Sequence, residues 1–169
     1  MEKFNELFGY NATCFNSPGA YENEILEKEL HLNGIEFIDS VFVRNEHQGS
    51  GNYKKKVKYW GKKSKNNQYY LIRNAVFEPN MYENDDMILS CLKEIETAFK
   101  WGKPANISSH RINFNGGIDQ AYGEKGIQKL KDLLKLIVKK WPDVEFMSSN
   151  QLGVLIKNEK NDFKLNKSV

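Results

Sequence analysis

The chain has 169 residues, of which 40% are hydrophobic and 28% are charged, and its formal net charge is +3. These values are ordinary for one globular domain and exclude extensive disorder, and the mild basicity, with lysines in several segments, demands no nucleic-acid partner. Two cysteines without a CxxC spacing exclude a disulfide scaffold and zinc ligation by cysteine. With no 18-residue apolar run and no apolar stretch after Met1, we expect no transmembrane helix, no signal peptide, no membrane partner and a cytoplasmic location.

The first part of the chain alternates short apolar runs with one helical pattern. Residues 12–15 predict a strand that ends in the turn Ser17-Pro18-Gly19. Residues 21–33 predict a helix, and Gly34 is the residue type that commonly follows a helix end. Residues 35–38 predict the next strand. The predicted apolar face of the helix consists of Ile25, Leu26, Leu30 and Leu32.

The segment from residue 39 to residue 78 departs from this pattern. Residues 48–52 read QGSGN, which is typical of a flexible turn. Residues 57–60 and 69–72 predict two arms of a hairpin around the polar tip at residues 61–68. We expect an inserted or edge hairpin here, and no separate domain.

Regular alternation returns after residue 84. Asp85 or Asp86 is predicted to cap a helix that carries Ile88, Leu92, Ile95 and Phe99 on one face. The later predicted elements are a strand at 105–109, a helix at 124–140, a strand at 144–147 and a short last helix. The helix at 124–140 carries one apolar stripe of Ile127, Leu130, Leu134 and Ile137. The last helix begins with a capping box formed by Ser148 and Gln151.

Repeated alternation of strand and helix predicts the α/β class with mostly parallel strands. An open doubly wound sheet and a segment of a barrel both fit this pattern, and composition does not choose between them. We expect one domain over residues 1–157, followed by a polar tail at 158–169.

In parallel α/β folds, functional groups gather at the carboxyl ends of the strands. His110 follows a predicted buried strand, where a histidine can act as a general acid or base. Arg111 could pair with a carboxylate and orient it. For His110, a structural interpretation, a half-buried histidine bonded to the backbone, explains its position equally well. Glu78 is the one obvious carboxylate near a strand end in mid-chain, and a structural use is the preferred interpretation for it.

A second strand end lies in residues 14–21, which read CFNSPGAY. Aromatic rings pack on pyranose rings and amides bond sugar hydroxyls, so this composition suits sugar recognition. An ordinary strand-to-helix turn has the same composition and is the simpler interpretation from spacing alone.

Other candidate sites are weaker. No two histidines have the spacing of a metal motif on one helix. The pair Asp85-Asp86 resembles a metal dyad, but a helix cap explains it more simply. The basic and aromatic stretch at residues 53–70 could stack on single-stranded nucleic acid, but a hairpin face explains it as well. We therefore expect neither a metal ligand set nor a nucleic-acid partner.

The same residues carry a family resemblance. The chain resembles the C-terminal portion of bacterial polysaccharide (de)acetylase-like proteins of the carbohydrate-esterase superfamily, over about residues 8–156. The stretches that match are the loop at 14–21, LIRN at 71–74 with FEP at 77–79, AFKW at 98–101, ISSHRINF at 107–114 and WPDVEFMSS at 141–149.

The resemblance implies a distorted (β/α)7-type barrel, here a partial one, that removes acetyl groups from N-acetylated sugars. His110 matches the late histidine that protonates the leaving amine in that superfamily. A carbohydrate substrate would then contact a groove formed by Phe15, Asn16, Pro18, Tyr21, Arg111 and Asn113. The family has an arginine-and-proline pattern at this loop, whereas Asn16 and Ser17 stand before Pro18 here. The substrate contacts of this loop are therefore expected to differ from those of the family.

The resemblance also implies a metal. In full-length relatives, a segment before the position of Phe8 holds an Asp-Asp motif and a His-x-x-x-His motif that bind zinc or another divalent metal. We therefore expect this chain by itself to bind no metal and to be an incomplete enzyme, with the missing N-terminal half as its partner. The alternative is a non-catalytic module of the same fold that binds a carbohydrate or a partner protein.

Overall fold

The computed structural model of the chain describes residues 1–20, 23–81, 86–117 and 119–165. They divide into two compact units. The first unit contains residues 1–72 and the residues from 147 onward, and the second contains residues 73–146. The described residues are mixed α/β with parallel strands, as predicted, and they form no closed barrel.

The first unit is built on a three-stranded parallel sheet. Its strands are β1 (Cys14–Asn16), β2 (Phe37–Ser40) and β5 (Tyr69–Ile72), in the order β1-β2-β5. Every residue of β2 and β5 is buried, as is usual for parallel strands that are covered on both faces. The helices of this unit are α1 (Glu2–Phe8), α2 (Glu24–Leu32) and α5 (Ser149–Leu165).

Helix α5 covers one face of this sheet. The α5 residue Ile156 packs against the buried side chains Phe37, Tyr69 and Leu71. Gly153 permits close packing, because a Cβ atom there would lie 2.5 Å from the ring of Phe37. The predicted capping box is confirmed, since the backbone N–H of Ser148 donates to Gln151 Oε1 at 2.8 Å. The helix is longer than predicted and continues into the polar tail as far as Leu165.

The predicted position of the hairpin is wrong. The hairpin consists of β3 (Val43–Gly49) and β4 (Asn52–Val57), which pair antiparallel around a turn that includes Ser50 at φ 49°. Residues 69–72 belong to the parallel sheet, because a run of four buried residues suits a strand covered on both faces. The chain does reverse at residues 61–68, where the backbone N–H of Tyr70 donates to the carbonyl oxygen of Lys62.

The predicted apolar face of α2 is also wrong. Ile25 is 78% exposed and Leu32 is 68% exposed, whereas Glu27 on the same helix is only 1% exposed. The helix turns this carboxylate inward because it meets the buried cations of the hairpin. Electrostatic complementarity therefore decides which face of α2 is buried.

The second unit contains β6 (Ala75–Val76) and β7 (Ile107–Ser108), which are parallel, and the helices α3 (Met87–Lys100) and α4 (Gln120–Lys140). The predicted face of α3 is confirmed, and Asp86 caps the helix by accepting from the backbone N–H of Leu89. Asp85 lies outside the described residues. The buried core of this unit consists of Ala75, Phe77, Cys91, Ile95, Leu133 and Ile137.

Two predictions for this unit need correction. The predicted stripe of α4 is rotated, because Ile127 is exposed and Leu133 is buried. The predicted strand at 144–147 does not form, since the chain turns tightly there and the backbone N–H of Val144 donates to the carbonyl oxygen of Trp141. The side chain of Val144 instead packs against the core of the unit.

Candidate functional site

The candidate site lies at the carboxyl ends of the two short parallel strands of the second unit. The strand register pairs Val76 with Ser108, so that Glu78 and His110, each two residues further along, emerge next to each other. Ser109 ties the two chain segments together, because its hydroxyl donates to the carbonyl oxygen of Phe77 at 2.5 Å. The two strands therefore fix the separation of the carboxylate and the imidazole.

Glu78 and His110 form a hydrogen-bonded dyad. The Nδ1 atom of His110 lies 2.7 Å from Glu78 Oε1, and the backbone N–H of His110 donates to the same oxygen at 3.0 Å. An ionised carboxylate only accepts hydrogen bonds, so Nδ1 of His110 carries a proton and donates a hydrogen bond to Glu78. In the neutral imidazole, Nε2 is then the unprotonated ring nitrogen.

The two members of the dyad differ in exposure. The side chain of Glu78 is 7% exposed, whereas that of His110 is 72% exposed. The carboxylate is thus held inside the protein and the imidazole stands at the surface. This arrangement fixes the orientation of the ring while leaving it open to a reacting molecule.

Asn113 holds the second oxygen of Glu78. Its side-chain amide donates to Glu78 Oε2 at 2.5 Å and to the carbonyl oxygen of His110 at 2.9 Å. Asn113 is fully buried, and its Oδ1 atom accepts from the backbone N–H of Asn80. Asn80 in turn donates from its side chain to the carbonyl oxygens of Asn113 and Tyr122.

Helix α4 closes this network from behind. A Cβ atom at Gly126 would lie 1.8 Å from the carbonyl oxygen of Asn113, so only glycine permits this approach. The dyad therefore rests on a support that runs from the first turns of α4 through Asn80 and Asn113 to Glu78.

The structure brings together only some of the predicted site residues. His110 and Asn113 share the Glu78 carboxylate, and Asn113 is buried rather than presented to a substrate. Arg111 is exposed, and within the described part of the chain it makes no ion pair with Glu78. The orienting group of His110 is thus Glu78, and a substrate contact by Arg111 stays a prediction.

The predicted groove residues of the loop at 14–21 belong to the first unit. Asn16 and Pro18 are exposed and Phe15 is half-buried at the end of β1. Tyr21 lies outside the described residues. Contacts of these four residues with a sugar stay predictions.

The dyad does not fit a metal centre. Protein sites for zinc use at least three His, Cys, Asp or Glu ligands, and the dyad offers two. Nowhere in residues 1–20, 23–81, 86–117 and 119–165 do three such side chains converge in a way that could hold a metal ion. The other two histidines lie elsewhere. His31 is in the last turn of α2, and Nδ1 of His47 accepts a hydrogen bond from the backbone N–H of Gly49.

A second polar cluster lies in the first unit, and no motif or spacing in the sequence predicts it. Arg44 donates to Glu27 at 3.0 Å and to Glu46 at 2.6 Å, and all three side chains are buried. Lys58 is also buried and donates to the hydroxyl of Tyr70, which bonds Glu27. In a sequence, alternating charges along a hairpin normally indicate a face that is exposed to solvent, whereas the charges of this cluster are buried.

The pKa shifts in this cluster follow its burial. Burial, together with the positive charge of Arg44, holds the pKa of Lys58 below its ordinary value although Lys58 bonds Glu24. Burial and the hydrogen bond to Glu27 raise the pKa of the Tyr70 hydroxyl. The cluster is buried and its opposite charges pair with one another, so it links the hairpin to α2. The dyad, whose imidazole is exposed, is therefore the better candidate site.

A comparison of the chain with protein-family models, with curated proteins and with solved structures finds no match. In the part of the chain that the structure describes, no helix is long and apolar enough to cross a membrane.

Proposed function

We propose that this chain supplies the proton-transfer residue and part of the substrate contacts of a hydrolase that removes acetyl groups from N-acetylated sugars. The observation that supports the proposal is the dyad, in which the buried Glu78 carboxylate orients an exposed His110 imidazole through a 2.7 Å hydrogen bond. The resemblance of residues 107–114 to the late histidine segment of polysaccharide deacetylases gives the reaction class.

The chemistry needs a proton donor at one defined point. When the C–N bond of an acetamide breaks, the leaving nitrogen must gain a proton to depart as a neutral amine. In its charged form, His110 carries that proton on Nε2, while Glu78 stabilises the imidazolium through Nδ1. Such a positioned acid contributes roughly 10²- to 10⁴-fold to a rate.

Activation of the attacking water lies outside this assignment. Among the described residues, no three candidate ligands converge to hold a metal ion. We assign the proton transfer to this chain and, as the family resemblance implies, the activation of water to groups on another segment.

Acetate release from acetylated chito-oligosaccharides tests the proposal. It is measured with the chain alone and with a version extended upstream in its natural reading frame, each with and without added zinc. In the active form, His110→Gln should lower the rate by roughly 10²-fold or more, and the control His31→Gln, at an exposed position at the end of α2, should leave it unchanged.

Two outcomes would contradict the proposal. A His110→Gln variant that keeps the full rate would show that the dyad transfers no catalytic proton. Binding of the oligosaccharide by both forms without release of acetate would instead support the alternative, a non-catalytic carbohydrate-binding module.

A further inference from the structure

The guanidinium group of Arg73 lies in the second unit in an unusual environment. The residue is half-buried, and its Nε atom is enclosed by protein and makes no hydrogen bond. Among the described residues, the group has one polar partner, the Ser108 hydroxyl, which lies 3.4 Å from Nη1. Buried polar groups are normally hydrogen-bonded and buried charges are normally paired, so this guanidinium calls for a counter-charge.

The carboxylates near β6 are bound to other groups. Glu78, which follows the strand, accepts from the backbone and the ring of His110. Glu94 of α3 accepts from the backbone N–H of Val76 at 2.8 Å. In the part of the chain that the structure describes, neither carboxylate forms an ion pair with Arg73. A bound molecule is therefore the better source of the counter-charge.

The Arg73 guanidinium and the dyad lie on one face of the β6–β7 pair. Val76 and Ser108 are opposite each other in register, so their side chains share a face, which is open because Val76 is 43% exposed. Glu78 and His110 follow these residues by two positions, and side chains two positions apart in extended chain share a face. The step from Ser108 to His110 is roughly 6.5 Å, which is on the scale of one sugar ring.

We propose that Arg73 and Ser108 bind a carboxylate group of the substrate whose acetamido group meets His110. This inference rests on the proposed function and names its substrate class, an N-acetylated amino sugar whose ring carries a carboxylate. A guanidinium group presents two parallel N–H donors that match the two oxygens of a carboxylate, and the Ser108 hydroxyl can donate to the same group. In an amino sugar of the uronate type, the acetamido group and the carboxylate stand on opposite sides of the ring, as the two binding groups require.

The charge of the site favours a carboxylate over a phosphate. Arg73 contributes one positive charge, and the buried Glu78 carboxylate contributes a negative charge on the same face. A carboxylate carries one negative charge, which Arg73 compensates, whereas a phosphate ester carries nearly two near neutral pH. The additional charge would repel Glu78. Arg111 is exposed, so solvent screens its contribution.

NMR titration of the full chain with three ligands tests the inference. The ligands are N-acetylglucosamine, N-acetylglucosaminuronate, in which a carboxylate replaces the hydroxymethyl group, and the ester of N-acetylglucosamine with phosphate at that hydroxymethyl group. Each is added to the natural chain, to Arg73→Gln and to Lys139→Gln, a matched control that loses one positive charge at an exposed position in the last turn of α4. The imidazole nitrogens of His110 report whether the ligand lies at the dyad.

We expect the natural chain to bind the uronate more tightly than the neutral sugar by a factor on the order of ten, and the uronate to shift the His110 signals. Arg73→Gln should remove this preference and Lys139→Gln should keep it. Arg73→Lys should keep only part of it, because an ammonium group lacks the planar fork of donors. Selective binding of the uronate without acetate release by any form of the protein would contradict the proposed hydrolysis and still support the carboxylate site.

Three results would overturn the inference. Equal affinity of the natural chain for the uronate and the neutral sugar would show that no carboxylate site exists, and this comparison depends on no variant. Tighter binding of the phosphate ester than of the uronate would assign the site to phosphate. A preference for the uronate that Arg73→Gln retains, or that Lys139→Gln loses to the same extent, would show that Arg73 does not select the ligand.

Discussion

Replacement of Glu78 by glutamine isolates the buried side of the dyad. The glutamine carbonyl oxygen can still accept from the backbone and ring N–H groups of His110, but its NH₂ group then faces the amide donor of Asn113. Asn113 is fully buried, so this donor loses its partner without access to water. A buried donor left unsatisfied costs about 1–3 kcal/mol, and we expect the free energy of unfolding to fall by about 2 kcal/mol.

The assay is urea unfolding followed by far-ultraviolet circular dichroism at neutral pH. Glu145→Gln is the matched control, because the same chemical change there falls on an exposed side chain and should stay within about 0.5 kcal/mol of the natural chain. If Glu78→Gln also stays within that range, the inferred support of Glu78 by Asn113 is refuted.

Three further changes test other parts of the structure. Gly126→Ala places a Cβ atom 1.8 Å from a backbone oxygen and should lower the free energy of unfolding by about 1–3 kcal/mol; unchanged thermal unfolding would refute that packing. Arg44→Met removes the buried cation that bonds both Glu27 and Glu46, leaves Lys58 at 4.0 Å as the remaining cation near Glu27, and should cost about 3–5 kcal/mol in urea unfolding, so a neutral effect would contradict the buried ion pairs. Burial, and then the negative charge of Asp39, raise the pKa of the Cys14 thiol from 9.0 to about 11, so the folded state favours the neutral thiol. Stability should therefore fall as the pH rises from 9 through about 11, and Cys14→Ala should remove the part of this fall that depends on the thiol; an identical pH profile in that variant would exclude the linkage.

Local rules predicted helix α3 of the second unit well. The face of α3 and its Asp86 cap follow from spacing and from the preference of aspartate for helix starts. The parallel pairing of β1 and β2 also agrees with the predicted alternation of strand and helix. The face and the cap of α3 depend only on residues that are close in sequence.

The hairpin and α2 could not be predicted in the same way. Their arrangement depends on Glu27 meeting Arg44, two residues that are 17 positions apart, inside the protein. Hydrophobic periodicity assigns Glu27 to solvent and Ile25 to the core, which is the reverse of what the structure shows. A buried ion pair overrides the pattern because each charge compensates the other.

The candidate site was predicted in part. The position of His110 at a strand end was visible in the sequence, but its pairing with Glu78 depends on the register of β6 and β7. Asn113 was expected to line a substrate groove, and only the fold shows that it is buried behind Glu78. Contacts between residues 32 and 35 positions apart leave no periodic trace in a sequence.

The most direct test of the Glu78–His110 dyad is nitrogen-15 NMR of the imidazole rings in the histidine-labelled chain, with signals assigned by His110→Gln. We predict that neutral His110 carries its proton on Nδ1 and leaves Nε2 unprotonated, because Nδ1 donates to Glu78. His47 is an internal reference with the opposite arrangement, since its Nδ1 accepts from the backbone of Gly49. If His110 in the natural chain instead carries its proton on Nε2, the dyad does not form as described and the proton-transfer role of His110 is contradicted.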